Sequence, residues 1–267
     1  MHANLFDSFQ DGSSLIHKLD PRVKILGTIA VILSNTLLPD GAWLAFALTW
    51  LTILAINYFA GLSFRYLIKR SLIAIPFALA AVTVIFNLPG QVVSTYSIGR
   101  WTLVVTDQGL IRFTTILLRS WLSVQIAVIL ISTTQFPDIA HGMRHLKIPG
   151  ILVSIIAFMY RYLYLLSDET IRVLRARDSR SARLPEKKSG GSLGWQARTA
   201  GNLAGQLFLR SYERSDRVYN AMLARGFQGE LLTMRAHNMS AVDWTSLLLL
   251  FLLVLLVQFL GHLIWLV

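Results

Sequence analysis

The chain has 267 residues, of which 54% are hydrophobic and only 15% charged, and a formal net charge of +11 at pH 7. A soluble globular domain usually has about 25% charged residues, whereas here Asp, Glu, Lys and Arg are absent from residues 41–64, 71–99, 120–137 and 244–267. A helix of about 20 apolar residues crosses the roughly 30 Å hydrocarbon core of a bilayer, so the composition excludes a soluble fold.

The cysteine content, the first residues and the net charge of the chain narrow the functions that it can have. It contains no cysteine, which rules out disulfides, thiolate metal sites and cysteine nucleophiles. Residues 1–15 hold two acids, no Lys or Arg and no apolar core, so we predict no cleavable signal peptide. In a membrane protein, basic loops and headgroup contacts explain a positive charge, and we predict no nucleic-acid partner.

The first membrane helix is predicted to cover residues 22–38. It starts at Asp20-Pro21, because Asp is a favourable N-cap and Pro is favoured at the first helical position. The uncharged stretches predict a second helix over residues 42–64 and a third over residues 71–88.

Residues 91–106 are too short to cross a bilayer, and their β-branched side chains predict an interfacial hairpin. Asp107 is expected to cap a fourth helix that ends near Thr134. A fifth helix is predicted over residues 244–265. We therefore predict an all-α polytopic membrane protein with about five transmembrane helices.

The segment 136–241 differs in charge, with 16 Lys and Arg against 8 Asp and Glu. It holds two long helical patterns, residues 151–183 and 195–225, separated by a Pro-Lys-Gly-Ser linker at 185–194. The first pattern begins apolar and becomes charged after the tyrosines of residues 160–164, which suit the headgroup level. We expect a cytoplasmic coupling domain of long crossed helices here.

Gly201 and Gly205 are predicted to lie where these two long helices cross. Small residues four positions apart allow two helices to approach closely. The alternative is a chance spacing in an alanine-rich helix.

The distribution of Lys and Arg predicts the topology. With residues 136–241 in the cytoplasm, four preceding spans place the N-terminus there too, and three of the 25 Lys and Arg residues fall outside: Arg100, Arg112 and Arg119. Arg112 and Arg119 share a helix face and either point at protein or extend to headgroups. The predicted parts are a cytoplasmic N-terminal segment (1–21), transmembrane helices 1–4 (22–135), the cytoplasmic coupling-helix domain (136–241) and a C-terminal transmembrane helix (242–267).

Two places in the sequence carry histidines in arrangements that can bind a metal. His141 and His145 stand at i, i+4, but the zinc-protease pattern needs Glu after the first His and here Gly142 follows. The Met1-His2 pair has a terminal amine and an imidazole but no evident use for a metal. We predict no metal site, and an ordinary interfacial helix around His141.

The acids of the first 135 residues are isolated from one another, and we find no aspartate-rich motif, Walker loop or hydrolase elbow. We therefore predict no catalytic residue, no cofactor and no enzymatic activity. These isolated acids are Asp7, Asp11, Asp20, Asp40 and Asp107.

A near-repeat links the ends of the two long helices: Ala176-Arg177-Asp178 in the first and Ala224-Arg225-Gly226 in the second. An arginine at a C-terminal end is favoured by the helix dipole. Alternatively, each arginine is a forked donor for a carboxylate on a partner.

Together these features resemble the transmembrane T component of energy-coupling-factor (ECF) importers, the CbiQ-like family. The resemblance begins at residues 17–24 (HKLDPRVK), which are similar to the family's opening H-x-L-D-P-R-x-K. It continues through the helix over residues 161–177 and is strongest at residues 214–226 (RSDRVYNAMLARG).

The resemblance implies a role for each half of the near-repeat. In the family, two Ala-Arg-X motifs at the ends of crossed coupling helices dock on a pair of ABC-type ATPases. They fall here on Ala176, Arg177 and Asp178 and on Ala224, Arg225 and Gly226. The second motif matches fully, whereas in the first Asp178 stands where a small residue is usual.

By this resemblance the chain hydrolyses nothing itself and transmits ATPase closure to a substrate-binding S-type membrane subunit, CbiM-like and with or without a CbiN-like small subunit. The expected location is the bilayer of a bacterial or archaeal cytoplasmic membrane. The start MHANLFDSF is most similar to the cobalt branch, with nickel, biotin or a shared vitamin module as alternatives. A stand-alone transporter would need internal pseudo-symmetry, for which the two halves give no convincing evidence.

Overall fold

The computed structural model describes residues 8–98, 101–180, 192–229 and 239–265. The chain divides into two compact units. The bundle unit comprises Asn4–His145 and Ala236–Val267, and the long-helix unit comprises Met1–Ala3 and Leu146–Arg235.

The described part of the bundle unit is helical apart from one hairpin. Its elements in chain order are α1 (Leu15–Lys18), α2 (Pro21–Leu37), α3 (Trp43–Ala60), α4 (Phe64–Ser71), a 3-10 turn (Leu72–Ala74), α5 (Ile75–Ala81), α6 (Thr83–Asn87), β1 (Val92–Ile98), β2 (Trp101–Thr106), α7 (Asp107–Thr133), α8 (Phe136–His145) and α11 (Ala241–Trp265). The long-helix unit contributes α9 (Gly150–Arg180) and α10 (Leu193–Ala224).

The predicted start of α2 is confirmed. Asp20 is the N-cap, its side chain accepts a hydrogen bond from the backbone N–H of Arg22 at 2.8 Å, and Pro21 is the first helical residue. The carboxylate satisfies one of the donors that a helix start leaves open.

The prediction of one continuous helix over residues 71–88 is wrong. This segment forms the 3-10 turn, α5 and α6 in succession. Pro76 lies at the second position of α5 and lacks a backbone N–H, so an α-helix cannot continue through it without losing a hydrogen bond and meeting a steric clash. The second predicted helix is also shorter than expected, because Gly61 ends α3 in the left-handed region (φ 69°).

The predicted hairpin is confirmed, since β1 pairs antiparallel with β2 and Ile98 lies opposite Trp101. The cap of α7 differs by one residue from the prediction. Thr106, not Asp107, is the N-cap, and its hydroxyl accepts from the backbone N–H of Gly109 at 3.2 Å. Asp107 instead occupies the first turn, where the helix dipole stabilises a negatively charged side chain.

α7 is the central helix of the bundle unit and contacts α2, α3, α4, α5 and α6. Polar side chains tie it to its neighbours. Asn35 on α2 is buried and donates to the backbone carbonyl of Arg119 at 2.9 Å and to the Ser123 hydroxyl at 3.0 Å. The indole N–H of Trp121 donates to the Ser71 hydroxyl at 2.9 Å. The buried side-chain N–H groups of Asn35 and Trp121 are therefore hydrogen-bonded within the protein.

The outer surface of α11 is apolar. Its exposed side chains include Leu248, Leu252, Leu255, Leu256 and Phe259. A surface of this kind contacts lipid in a membrane protein. Among the described residues four helices are long and apolar enough to cross a bilayer: α3, α7, α9 and residues Ala241–Leu263 of α11. The chain is therefore an all-α, multi-pass membrane protein.

Three of the five predicted spans coincide with these four helices, namely α3, α7 and α11. The first predicted span forms α2, whose 17 residues lie at the lower end of the length that crosses a bilayer. α9, which lies in the segment predicted to be cytoplasmic, also satisfies the length and composition of a span. The location of residues 136–241 stays a prediction.

The long-helix unit confirms the two predicted long helices. Arg177 and Glu169 of α9 contact Trp195 and Arg210 of α10, respectively. Phe158 of α9 contacts Phe227, which follows the turn after α10. Residues further along α9 contact residues earlier in the sequence of α10, so the two helices are antiparallel. The predicted linker lies largely outside the described residues.

Candidate functional site

α9 and α10 meet through a mixed apolar and charged contact. Leu166 of α9 and Leu207 of α10 line it, together with Tyr162 and Ser211. The apolar side chains supply non-directional attraction, and the charged residues beside them fix the register.

Glu169 is the charged centre of this contact. Its carboxylate lies 3.2 Å from Arg210 and 3.8 Å from Arg214, both on α10, and 3.7 Å from Arg172 on its own helix. The Glu169 side chain is 21% exposed, and Arg210 donates a hydrogen bond to it. One carboxylate thus joins two helices that are far apart in sequence, which no local pattern in the sequence indicates.

The prediction that Gly201 and Gly205 lie at the crossing of α9 and α10 is corrected by the structure. Both are exposed, and a Cβ added to either would have no described atom within 4 Å. With roughly 3.6 residues per turn, they lie on the side of α10 opposite Leu207 and Arg214. The spacing of small residues alone does not reveal which face of a helix packs.

Arg177, the central residue of the first motif, lies against an aromatic ring. Its guanidinium carbon is 5.9 Å from the centroid of Trp195 on α10. This cation–π contact contributes about 0.5–1 kcal/mol at an exposed site and restricts the arginine's rotamers. The flanking Ala176 and Asp178 are exposed at the end of α9.

Arg225, the central residue of the second motif, is the C-cap of α10 and is exposed. Gly226 follows in the left-handed region with φ +81°. The N–H of Gly226 donates to the carbonyl of Leu223 at 2.9 Å, and that of Phe227 to the carbonyl of Met222 at 3.0 Å. These two bonds form a Schellman motif, whose left-handed position favours glycine. The left-handed turn therefore explains why glycine stands at position 226 of this motif. Ala224 is the last residue of α10.

The chain after α10 folds back on the start of α9. Phe227 packs edge-on against Phe158, with ring centroids 6.3 Å apart, and the Ser154 hydroxyl donates to the carbonyl of Gly229 at 3.1 Å. These contacts fix the direction in which the turn at Arg225 leaves the helix.

The two motifs lie at opposite ends of the antiparallel pair. Arg177 is beside Trp195 in the first turn of α10, and Arg225 ends the same helix. At 1.5 Å per residue the distance from Trp195 to Arg225 along α10 is about 45 Å. A single small contact surface therefore cannot cover both arginines.

The residues of the opening motif, 17–24, form a network within the bundle unit. The backbone N–H of Asp20 donates to the carboxylate of Asp243 at 2.9 Å, which joins the starts of α2 and α11. The Lys24 ammonium donates to the carbonyls of His17 and Thr133, each at 3.1 Å. The motif therefore holds three helices and the N-terminal segment together, a role that its spacing did not indicate.

Arg112 and Arg119 both point at protein. Arg119 donates to the carboxylate of Asp40 at 3.0 Å and to the carbonyl of Leu38, and Arg112 lies 3.8 Å from the same carboxylate. The first of the two predicted alternatives is thus confirmed for Arg119, whereas the Arg112 side chain is 54% exposed and for it both alternatives stay open. Arg100, the third arginine of the predicted outer group, lies outside the described residues.

His141 and His145 stack edge to face, with ring centroids 4.8 Å apart. Desolvation and the positive charges of Arg22 and His141 lower the pKa of His145. No group of three or more His, Cys, Asp or Glu residues that could hold a metal ion occurs in the described ranges. The Met1-His2 pair lies outside them.

Comparison with known proteins gives consistent matches. The CbiQ family, described as cobalt transport protein, matches residues 12–237. An uncharacterised protein of Methanocaldococcus jannaschii is 27% identical over 91% of this chain and 82% of its own length. The energy-coupling factor transporter transmembrane protein EcfT of Thermosediminibacter oceani is 29% identical over 89% of this chain and 92% of its own. EcfT of Lactococcus lactis is 28% identical, with 86% of each chain covered.

Proposed function

Because the chain belongs to the CbiQ family of cobalt transport proteins, we propose that α9 and α10 carry conformational change from a pair of ABC-type ATPases to a substrate-binding membrane subunit. The chain is an energy-coupling transmembrane component of an ECF-type transporter. Within that class, the proposal assigns the contacts with the ATPases to particular residues.

The observation that carries the proposal is the placement of Arg177 and Arg225. They stand at opposite ends of one antiparallel helix pair. Trp195 contacts the guanidinium of Arg177, and the Schellman turn at Gly226 fixes the backbone from which the Arg225 side chain extends. A positioned guanidinium forms two parallel hydrogen bonds with a carboxylate. Each arginine is assigned a carboxylate on one ATPase subunit, with Ala176, Asp178, Ala224 and Gly226 around them.

The mechanism is a rigid-body movement. A small displacement of the two ATPase subunits acts on both ends of the helix pair, and Glu169 keeps α9 and α10 in register during the movement. Packed helices transmit such a displacement because they have discrete arrangements and are not continuously deformable. The chain needs no catalytic residue, since ATP hydrolysis belongs to the partner.

Cobalt ion is the proposed cargo, and a CbiM-like membrane subunit, with or without a CbiN-like one, is proposed to bind it. The support is the description of the matched family and the similarity of the first residues to the cobalt branch. Nickel, biotin or a shared vitamin module are the alternative cargoes. The cytoplasmic membrane of a bacterium or archaeon is the proposed location, with residues 1–21 and 136–241 on the cytoplasmic side.

Copurification of the partner subunits and an assay of substrate transport together test the proposed function. The tagged chain, expressed with a pair of ABC-type ATPases and a CbiM-like membrane subunit from the same organism, should copurify with them and import radiolabelled cobalt in an ATP-dependent way. Uptake of nickel or a vitamin in place of cobalt would change the assigned cargo alone. Transport by the isolated chain without ATPases would contradict the coupling role.

A further inference from the structure

The bundle unit contains a cavity of about 320 Å³ beside the opening motif. Side chains of α1, α2, α3, α7 and α11 line it, and all five helices belong to this unit. Sites that bind small molecules have volumes of about 300–1,000 Å³, whereas voids in a packed core rarely exceed the size of a water molecule. The cavity is therefore large enough for a ligand.

The walls and the opening of the cavity are apolar. Three of the lining side chains, those of Leu15, Phe59 and Leu249, are also exposed on the surface of the unit. An exposed apolar opening of this kind favours the entry of hydrocarbon. The polar residues in the lining are Lys24, Thr28, Thr133 and Ser246.

The cavity has a polar end and an apolar interior. The ammonium of Lys24 donates to the carbonyl of Thr133, the last residue of α7. The lining residues of α7 extend back from Thr133 to Ile126, which is about 10 Å along the helix axis. A molecule that fills this space needs one polar atom near Lys24 and a hydrocarbon chain beyond it.

Lys24 has a hydrogen-bond donor for such a polar atom. An ammonium has three donors, and the carbonyls of His17 and Thr133 accept from two of them. The hydroxyls of Thr133 and Ser246 donate within their own helices, to Ile129 and Val242, each at 2.8 Å. The third donor of Lys24 is therefore available to a ligand oxygen.

The charges around Lys24 favour an uncharged oxygen over an anion. Arg22 lies 3.7 Å from the carboxylate of Asp20. Three carboxylates act on the charge of Lys24, those of Asp20, Asp138 and Asp243. Two cations and three acids leave no surplus of positive charge, and an ionised head group would have to be desolvated beside these acids.

We propose that the cavity binds one acyl chain of an uncharged acylglycerol. The ester carbonyl accepts a hydrogen bond from Lys24, and the chain lies between α2, α3, α7 and α11. A carbonyl directly at the start of a hydrocarbon chain matches a single donor at the end of an apolar cavity. The bound chain joins the opening motif to the bundle. This inference goes beyond the proposed function, since it involves neither the ATPases nor the cargo.

Photolabelling of the purified full chain in a neutral detergent tests the proposal. Monooleoylglycerol with a diazirine in its acyl chain is added and irradiated, and peptide mass spectrometry locates the modified residues. The label should fall in residues 126–133 and 246–250, and excess unmodified monooleoylglycerol should remove it. Label confined to the exposed side of α11, at Leu252, Leu255 and Phe259, would show unspecific contact with hydrocarbon and overturn the proposal.

Two variants fill the cavity from different helices. A Cβ at Gly27 would lie 3.4 Å from a methyl group of Leu250, so Gly27→Leu fits without a backbone clash and extends into the cavity. Gly27→Leu and Ile56→Trp should each lower the removable label about 10-fold. Ala47→Leu, at an exposed position of α3 outside the cavity, is the control and should keep the label within about 2-fold. Equal label in the unaltered chain and both filled variants would contradict a ligand in this cavity.

Competition between lipids with the same chain tests the head group. Monooleoylglycerol should displace the photolabel at about 10-fold lower concentration than oleate at about pH 8, where the carboxyl group of oleate is ionised. Lys24→Met removes the donor and should weaken competition by monooleoylglycerol about 10-fold. Unchanged competition in this variant would contradict the hydrogen bond. Stronger competition by oleate in the unaltered chain would show that Lys24 selects an anion and would overturn the assignment of an uncharged ligand.

Discussion

At the scale of single residues, substitution by alanine should change the stability of α10 in opposite directions at Gly226 and Gly205. Gly226 has φ +81°, so Gly226→Ala should destabilise the end of α10 by about 1 kcal/mol or more. Gly205 lies within α10, and a Cβ added to it would meet no described atom within 4 Å, so Gly205→Ala should stabilise the helix by as much as about 1 kcal/mol. Amide hydrogen exchange at residues 222–227 measures the first change and at residues 203–209 the second. Faster exchange in both variants would contradict this assignment.

Arg119 and Arg112 share Asp40 but should contribute unequally to stability. Arg119 is 25% exposed and donates to Asp40 at 3.0 Å, whereas Arg112 is 54% exposed and stands at 3.8 Å. Loss of a hydrogen bond to a charged group costs about 2 kcal/mol, and an exposed pair contributes about 0.5 kcal/mol. Thermal unfolding in detergent should therefore occur at a lower temperature for Arg119→Gln than for Arg112→Gln. The reverse order would contradict the described geometry.

Residues whose role depends on local chemistry could be predicted from the sequence. Asp20 and Pro21 mark a helix start because cap and ring geometry act within two residues. Trp195 could not be connected with Arg177, nor Asp20 with Asp243, because these contacts join parts of the chain that only tertiary packing brings together.

At the scale of elements, Glu169 should determine the strength of the contact between α9 and α10. Glu169→Gln removes the charge that holds two arginines of α10, so α10 should open more readily, by about 1 kcal/mol. Hydrogen exchange over residues 207–214 measures the opening. Asp168→Asn, one position earlier, is the matched control and should leave exchange unchanged. Equal exchange in both variants would show that the ion pairs do not fix the register.

The exposed glycines of α10 allow a test of partner contact. Gly201→Leu and Gly205→Leu add side chains where no described atom of this chain lies within 4 Å, so the contact with α9 should survive both. If a partner helix packs on this face, overpacking costs about 1–3 kcal/mol and should weaken assembly or coupling. Copurification of the partner subunits and substrate uptake are the measurements. Normal uptake by both variants would mean that no partner packs there.

Element prediction succeeded where one pattern ran without interruption, as in α7, α9, α10 and α11. It failed over residues 71–88 because hydropathy alone hides the break that Pro76 introduces. The contact face of α10 could not be predicted either, since glycine spacing suggested one side and the charged side chains pack on the other.

At the scale of the whole molecule, the charge distribution predicts an N-terminus and residues 136–241 in the cytoplasm and a C-terminus outside. The chain has no cysteine, so single cysteines can be introduced without background. Gln206→Cys on α10 and His262→Cys near the end of α11 should react with a membrane-impermeant maleimide from opposite faces. Labelling of both from the same face would contradict the topology.

The double variant Arg177→Ala, Arg225→Ala tests the coupling role most directly. Truncating one side of a desolvated arginine–carboxylate contact commonly costs about 2–5 kcal/mol, and one remaining motif can still hold the complex. Arg225→Ala should be the harsher single change, because the second motif matches the family fully. Arg175→Ala, Arg198→Ala is the control with equal loss of charge.

The measurement is uptake of radiolabelled cobalt together with pull-down of the ATPase subunits, with membrane insertion of every variant verified. The predicted result is that the double variant reaches the membrane but loses uptake, and either releases the ATPases or retains them with hydrolysis uncoupled from import. The control should transport normally. A double variant that binds the ATPases and imports cobalt at the rate of the unaltered chain would contradict the assignment of Arg177 and Arg225 as the coupling contacts.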